Sequence, residues 1–160
     1  MKSLSNLIKA LICTIPILGS CAQPENNPTE DYLKEAKAAI AASNAIYFTS
    51  FANNDSALFI DRYAEDACLM PAGAPKTCGR EALARFFRET YNKGYRGGEF
   101  VTVAVYGDGR EFVTEEVIGR IFNEKKELMS EGKILVLWKK TAKGWKMFRD
   151  SFSGDAPSGK

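Results

Sequence analysis

"GREALARFFRETYNKGYRGGEFVTVAVYG", residues 79–107, contains the point at which the hydrophobic period of this chain changes. In its first half Leu83, Phe86, Phe87 and Tyr91 recur at helical spacing, so they share one face of a helix that Gly94 is placed to stop. From Glu99 onward the period becomes two, the spacing of a strand with one face buried. The stretches "EFVTEEVIGRIFN" (111–123), "GKILVLWKK" (132–140) and "GWKMFRDSF" (144–152) continue that alternation, separated by "GDG", "EKKE" and "AKG". Helices first and hairpin-linked strands last predict an α+β domain, with three helices packed on one face of a mostly antiparallel sheet.

Upstream, Thr29 can cap a helix whose first turn holds Glu30 and Asp31, where the helix dipole favours acids. Leu33, Ala36, Ile40, Ala41, Tyr47, Phe48 and Phe51 then recur along one long helix to about Ala52. The run "NND" (53–55) breaks it, and Asp55 or Ser56 opens a short second helix expected to carry Leu58, Phe59, Ile60 and Tyr63. Glu65 and Asp66 are expected to end that helix in solvent. Next comes "CLMPAGAPKTC", residues 68–78, in which Cys68 and Cys78 are equidistant from Gly73. If Gly73 is the middle of a turn, the two thiols face each other across a two-strand ladder. Cross-strand Cβ separations of about 4.5 to 5.5 Å approach what a disulfide requires. A structural disulfide and a pair of buried, reduced thiols both fit. A catalytic redox pair would want closer spacing at a helix start.

The N-terminus carries an address rather than fold. Residues 1–20 have Lys2, an apolar stretch from Ala10 to Leu18, and small residues Gly19 and Ser20 before Cys21, the layout of a secretory signal. That stretch is nine residues long, against the roughly 20 that a membrane-spanning helix needs. Leu18, Gly19, Ser20 and Cys21 resemble the lipobox of bacterial lipoproteins. The resemblance implies that Cys21 is lipidated and becomes the new N-terminus, anchoring the protein in the cell envelope. The alternative is an ordinary signal cut nearby, with Cys21 a plain thiol. Ala22 stands where an aspartate tends to retain enteric lipoproteins at the inner membrane, so the outer membrane is the expected placement. Such a compartment is oxidising, which favours the disulfide for Cys68 and Cys78. The remaining boundaries are an anchor and extended linker over 21–29, a domain over 30–156 and a tail over 157–160.

Charge excludes some partners. The chain has 22 Lys and Arg against 20 Asp and Glu, and residues 1–20 hold two of the lysines, so the mature chain is balanced. A neutral domain lacks the electrostatic footprint of nucleic-acid binding. Lys139, Lys140, Lys143 and Lys146 cluster around one turn, where solvation of a hairpin tip and its strand edge is the expected role.

The order and spacing of the aromatic helix, of "NNDSALFIDRYAEDACLMPAGAPKTCGREALARFF" (53–87) and of "GKILVLWKKTAKGWKMFRDSF" (132–152) resemble the SnoaL-like domains of the nuclear transport factor 2-like superfamily. The resemblance covers roughly Ala36 to Phe152. It implies a conical barrel in which the curved sheet wraps the long helix, a pocket at one end and often a homodimer; it implies no single reaction. Ketosteroid isomerases of that superfamily use a tyrosine, a proton-shuttling carboxylate and a second acid. Aligned by spacing, these positions fall on Tyr47, Pro71 and Leu135 to Leu137, so two of the three functions are missing. With no histidine in the chain, imidazole bases, the usual triads and histidine metal ligands are absent too. No cofactor is expected, and no metal, since zinc would need Cys68, Cys78 and carboxylates in unusual combination.

The residues left as pocket candidates are Tyr47, Met70, Phe86, Arg120, Trp138 and Asp150. Asp150 lies between Phe148 and Phe152, so alternation puts it on one face with two aromatics. A buried carboxylate there needs a partner, and Arg120, between Ile118 and Phe122, is the partner expected. Trp138 follows Ile134 and Val136 on one face and reads as core. The expected function is a lipid-anchored envelope domain that binds a small apolar ligand or a partner protein. The alternatives are an isomerase- or hydro-lyase-like enzyme using Asp150 and Tyr47, and a dimeric structural module whose pocket is filled by its own side chains.

Overall fold

The computed structural model of the chain describes residues 28–155; the expected signal, Cys21, most of the expected linker and the expected tail lie outside the described residues. Nine elements follow in order: α1 (Pro28–Ala52), α2 (Ser56–Asp61), β1 (Tyr63–Pro71), β2 (Thr77–Cys78), α3 (Arg80–Asn92), β3 (Gly97–Gly107), β4 (Phe112–Phe122), β5 (Leu128–Thr141) and β6 (Gly144–Gly154). The strands form one sheet in the order β2-β1-β6-β5-β4-β3. Neighbours are antiparallel except β1 and β6, which run parallel. This is the α+β architecture expected, with the three helices preceding the long meander.

Local signals explain the boundaries. α1 starts at Pro28, one residue before the expected Thr29 cap, and proline suits the first helical turn because its missing N–H has no partner there anyway. Asn54 adopts φ +53 after α1, and Asp55 caps α2 by accepting a hydrogen bond from the Leu58 amide at 2.9 Å. Gly94 stops α3 at φ +95. Tyr63, expected on the second helix, instead opens β1, and Glu65 and Asp66 belong to the same strand, exposed between buried Ala64 and Ala67. The pull comes from β6: Tyr63 pairs with Met147, and the Met147 amide donates to the Arg62 carbonyl.

α1 lies along the concave side of the sheet. Ala36, Ile40, Tyr47 and Phe51 of α1 meet Phe59 of α2, Leu83 and Phe87 of α3, and Val113, Val136, Trp138 and Met147 of the sheet in one core. Phe59 is its hub, with ring centroids 5.2 to 6.0 Å from Tyr47, Phe51, Tyr63, Phe86 and Phe87. Irregular register in β3, in β6 opposite Leu137 and Trp138, and in β1 adds the local bending that wraps the sheet around α1.

The lysine cluster does more than solvate a turn. Lys146 is 9% exposed and donates to the carbonyl and carboxylate of Asp61, Lys139 pairs with Asp66, and Lys140 pairs with Glu35 of α1. The β5–β6 turn is thereby tied to α1, α2 and β1. Cys68 and Cys78, opposite each other in the β1–β2 register, are joined by a disulfide.

Candidate functional site

The interior of the cone contains acids as well as aromatics. Along β4, Val113, Glu115 and Val117 share the inward face, and all three are buried. Glu115 is fully enclosed. Its Oε1 accepts from Asn44 Nδ2 of α1 at 2.7 Å and Thr102 Oγ1 of β3 at 2.6 Å, and its Oε2 accepts from Trp138 Nε1 of β5 at 3.0 Å. Three donors from three elements are what a carboxylate needs to stay buried. Trp138 is core, as expected, but its indole N–H is committed to this acid.

Asp150 forms the second polar centre. Its Oδ2 accepts from the Tyr63 hydroxyl at 2.8 Å, and the Tyr63 hydroxyl in turn interacts with that of Tyr47. Burial pushes the Asp150 carboxyl up to about 6; the Tyr63 hydrogen bond opposes the shift, and the nearby Glu115 charge adds to it. Burial likewise raises both phenols, with the Asp150 charge reinforcing it, so Tyr47 and Tyr63 remain neutral donors. The string can bind a proton or hold a polar oxygen, but Tyr47, Tyr63 and Asp150 are each less than a tenth exposed.

Two expectations about Asp150 are corrected. Its partner is Tyr63, not Arg120. Arg120 lies on the other face of β4, where it pairs with Glu99 of β3 at 2.7 Å and with Glu131 of β5, a row of charges across three strands. Phe148 does not share the Asp150 face either. Leu137 pairs with Arg149 and Trp138 with Met147, which leaves Phe148 as an extra residue and reverses the alternation. Trp145 and Met147 point inward before the bulge, Asp150 and Phe152 after it. Phe148 packs instead against Phe112 and under the Arg149 guanidinium, 3.6 Å from the ring centroid.

Of the other candidates, Phe86 is half-buried beside Phe152, with centroids 5.6 Å apart. Met70 pairs with Ser151 and alternates away from Leu69 and Pro71, which puts it on the opposite face of β1 from Asp150. Tyr47, Trp138 and Asp150 therefore come together, Phe86 lies nearby, and Met70 and Arg120 do not join them. Glu115 and Tyr63 were missed. Alternation of Val113, Glu115 and Val117 could have flagged the acid; Tyr63 was hidden by its assignment to a helix.

The open space lies elsewhere. A cleft of about 660 Å³ is lined by Ala52 at the end of α1, Tyr91 of α3, Arg96, Gly97 and Gly98 at the start of β3, and the β4–β5 turn from Phe122 to Lys126. Gly98 packs against the Phe48 ring so closely that a Cβ would collide with it, whereas a Cβ on Gly97 would meet nothing within 4 Å. Phe48 touches Tyr47 and Phe100, with centroids 5.0 and 4.8 Å away. Phe48 thus lies between Gly98 of the cleft and the buried Tyr47. A second hollow of about 270 Å³ is lined by Asp61, Arg80, Thr141 and Lys146 and reaches Tyr63 of the buried string.

No protein-family model matches the chain, and no curated protein matches it. Solved structures do. An NTF2-like protein with a cystatin-like fold from Novosphingobium aromaticivorans superposes with TM-score 0.70 at 17% identity, covering 86% of this chain and 94% of that one. A ketosteroid isomerase-like protein from Erwinia carotovora atroseptica gives 0.62 at 22% identity, covering 79% and 98%. A Nostoc punctiforme protein of unknown function with a cystatin-like fold gives 0.64 at 18% identity, covering 76% and 92%. The chain has the nuclear transport factor 2-like, ketosteroid isomerase-like fold. Identities this low speak for the fold alone.

Proposed function

We propose that this protein is a lipid-anchored component of a bacterial cell envelope, on the outer membrane, that binds a small, largely apolar molecule in the cleft between α1, α3 and the β3–β4 end of the sheet. The observation that carries the reading is the cleft itself: about 660 Å³, walled by Ala52, Tyr91, Gly97, Gly98 and Phe122, with a few polar groups at its rim. That volume falls within the range of small-molecule sites, commonly some 300 to 1,000 Å³. The lipobox-like Leu18 to Cys21 and the Cys68 to Cys78 disulfide both suit an exported protein. The enzymatic alternative through Asp150 and Tyr47 is favoured by the raised Asp150 carboxyl but opposed by the burial of the whole string.

A homodimer is part of the proposal. Val101, Val103 and Tyr106 of β3 and Leu135 of β5 are 42 to 56% exposed and flank Glu116 on the outer sheet face, a largely apolar surface suited to a second copy. Native mass spectrometry of the full chain extracted from membranes tests the reading. A diacylated mass, a dimer and a co-purifying small molecule released on denaturation are expected. An unlipidated, monomeric, empty chain would refute it.

A further inference from the structure

The guanidinium of Arg96 is held as a rigid, uncompensated cation at the wall of the cleft. Its Nη1 donates to the carbonyls of Tyr91 at 2.6 Å and Tyr95 at 2.9 Å, and the group stacks on the Tyr91 ring, 3.7 Å from the centroid. Two backbone carbonyls and an aromatic face fix its plane and orientation. Those bonds use only Nη1. The Nε and Nη2 edge, the side-on pair of donors that matches the two oxygens of a carboxylate, has no partner among the described residues. Elsewhere Arg120 shows what an arginine here does when acids are within reach, taking two of them.

The rest of the lining agrees. Lys126, carried in a left-handed turn at φ +63, adds a second cation, and Glu124 is the single acid among the lining residues, so the rim carries net positive charge. Beyond it Tyr91, Phe122 and Ala52 offer apolar wall, and Met129, which approaches Gly94, and Leu128 are exposed alongside. We infer that the cleft takes an amphipathic carboxylate, its two oxygens on the Nε and Nη2 donors of Arg96 and its apolar body along Tyr91, Phe122 and the Gly97 floor. This rests on the cleft being a small-molecule site and goes further in naming the ligand's charge and the residue that reads it.

The test titrates the oxidised protein with decanoate and with decanol, reading the amide resonances of Gly97 and Gly98. Decanoate is expected to move both signals and to bind roughly tenfold or more tightly than decanol, because the alcohol leaves the guanidinium fork unfilled. Arg96→Gln should bring decanoate down to the level of decanol. Gly97→Val, which the open space above Gly97 admits, should abolish binding of both. If Arg96→Gln fails to fold, the wild-type preference and the Gly97→Val variant decide alone. Equal binding of the two probes, or decanoate binding unchanged by Arg96→Gln, overturns the carboxylate inference while leaving an apolar site intact. If neither probe moves Gly97 or Gly98, both the inference and the cleft reading fall.

Discussion

Asp150→Asn should change how stability depends on pH. In the folded protein burial raises the Asp150 carboxyl to about 6 from its ordinary 3.8. A carboxyl with a raised folded value is protonated in the native state where it is already ionised in the unfolded one, so its contribution to stability is full below about pH 4 and is lost as pH rises through about 6. The gap between 3.8 and about 6, at 1.36 kcal/mol for each pH unit, amounts to about 3 kcal/mol. Asparagine cannot ionise, yet its carbonyl can still accept from Tyr63. The stability difference between variant and wild type should therefore shift in favour of the variant by up to about 3 kcal/mol between pH 4 and 7. Urea unfolding followed through Trp138 and Trp145 at each pH measures it. A difference that stays constant across that range, or moves the other way, would refute the argument that burial dominates this carboxyl.

Two further outcomes are expected. Glu115→Ala leaves Asn44 Nδ2, Thr102 Oγ1 and Trp138 Nε1 without their acceptor, and since Trp138 Nε1 is the fully buried donor of the three, the orphan alone should cost about 1 to 3 kcal/mol; Glu115→Gln, which keeps an acceptor, should lose less, and equal losses in urea titrations would count against the network. Gly98→Ala forces a methyl into Phe48 and the Arg120 carbonyl, while Gly97→Ala meets open space, so thermal unfolding should show the first destabilised by about 1 to 3 kcal/mol and the second nearly unchanged.

Much of the fold was legible because it is written in local spacing. The change of period near Glu99, the stop at Gly94 and the symmetric cysteines about Gly73 depend on neighbours within a few residues, and each is seen in the elements that form. Tyr63 was misread because a residue between a helix and a strand has no local preference strong enough to resist a ladder supplied by β6, far along the chain. Alternation with Ile134 and Val136 also placed Trp138 in the core, though not that it would serve an acid.

By itself the sequence determined the fold class, the three helices followed by a long meander and the cysteine pairing position. Only the tertiary structure decided which acids meet which partners. One extra residue at Phe148 reverses the alternation along β6, so Asp150 faces Tyr63 while Phe148 faces out, and no count along the strand reveals where a bulge will fall. The cleft arises the same way. Ala52, the run from Tyr91 to Gly98, and the turn from Phe122 to Lys126 are three separate segments, and they enclose one volume because the sheet curves around α1, a consequence of the packing of distant residues rather than of any one stretch read alone.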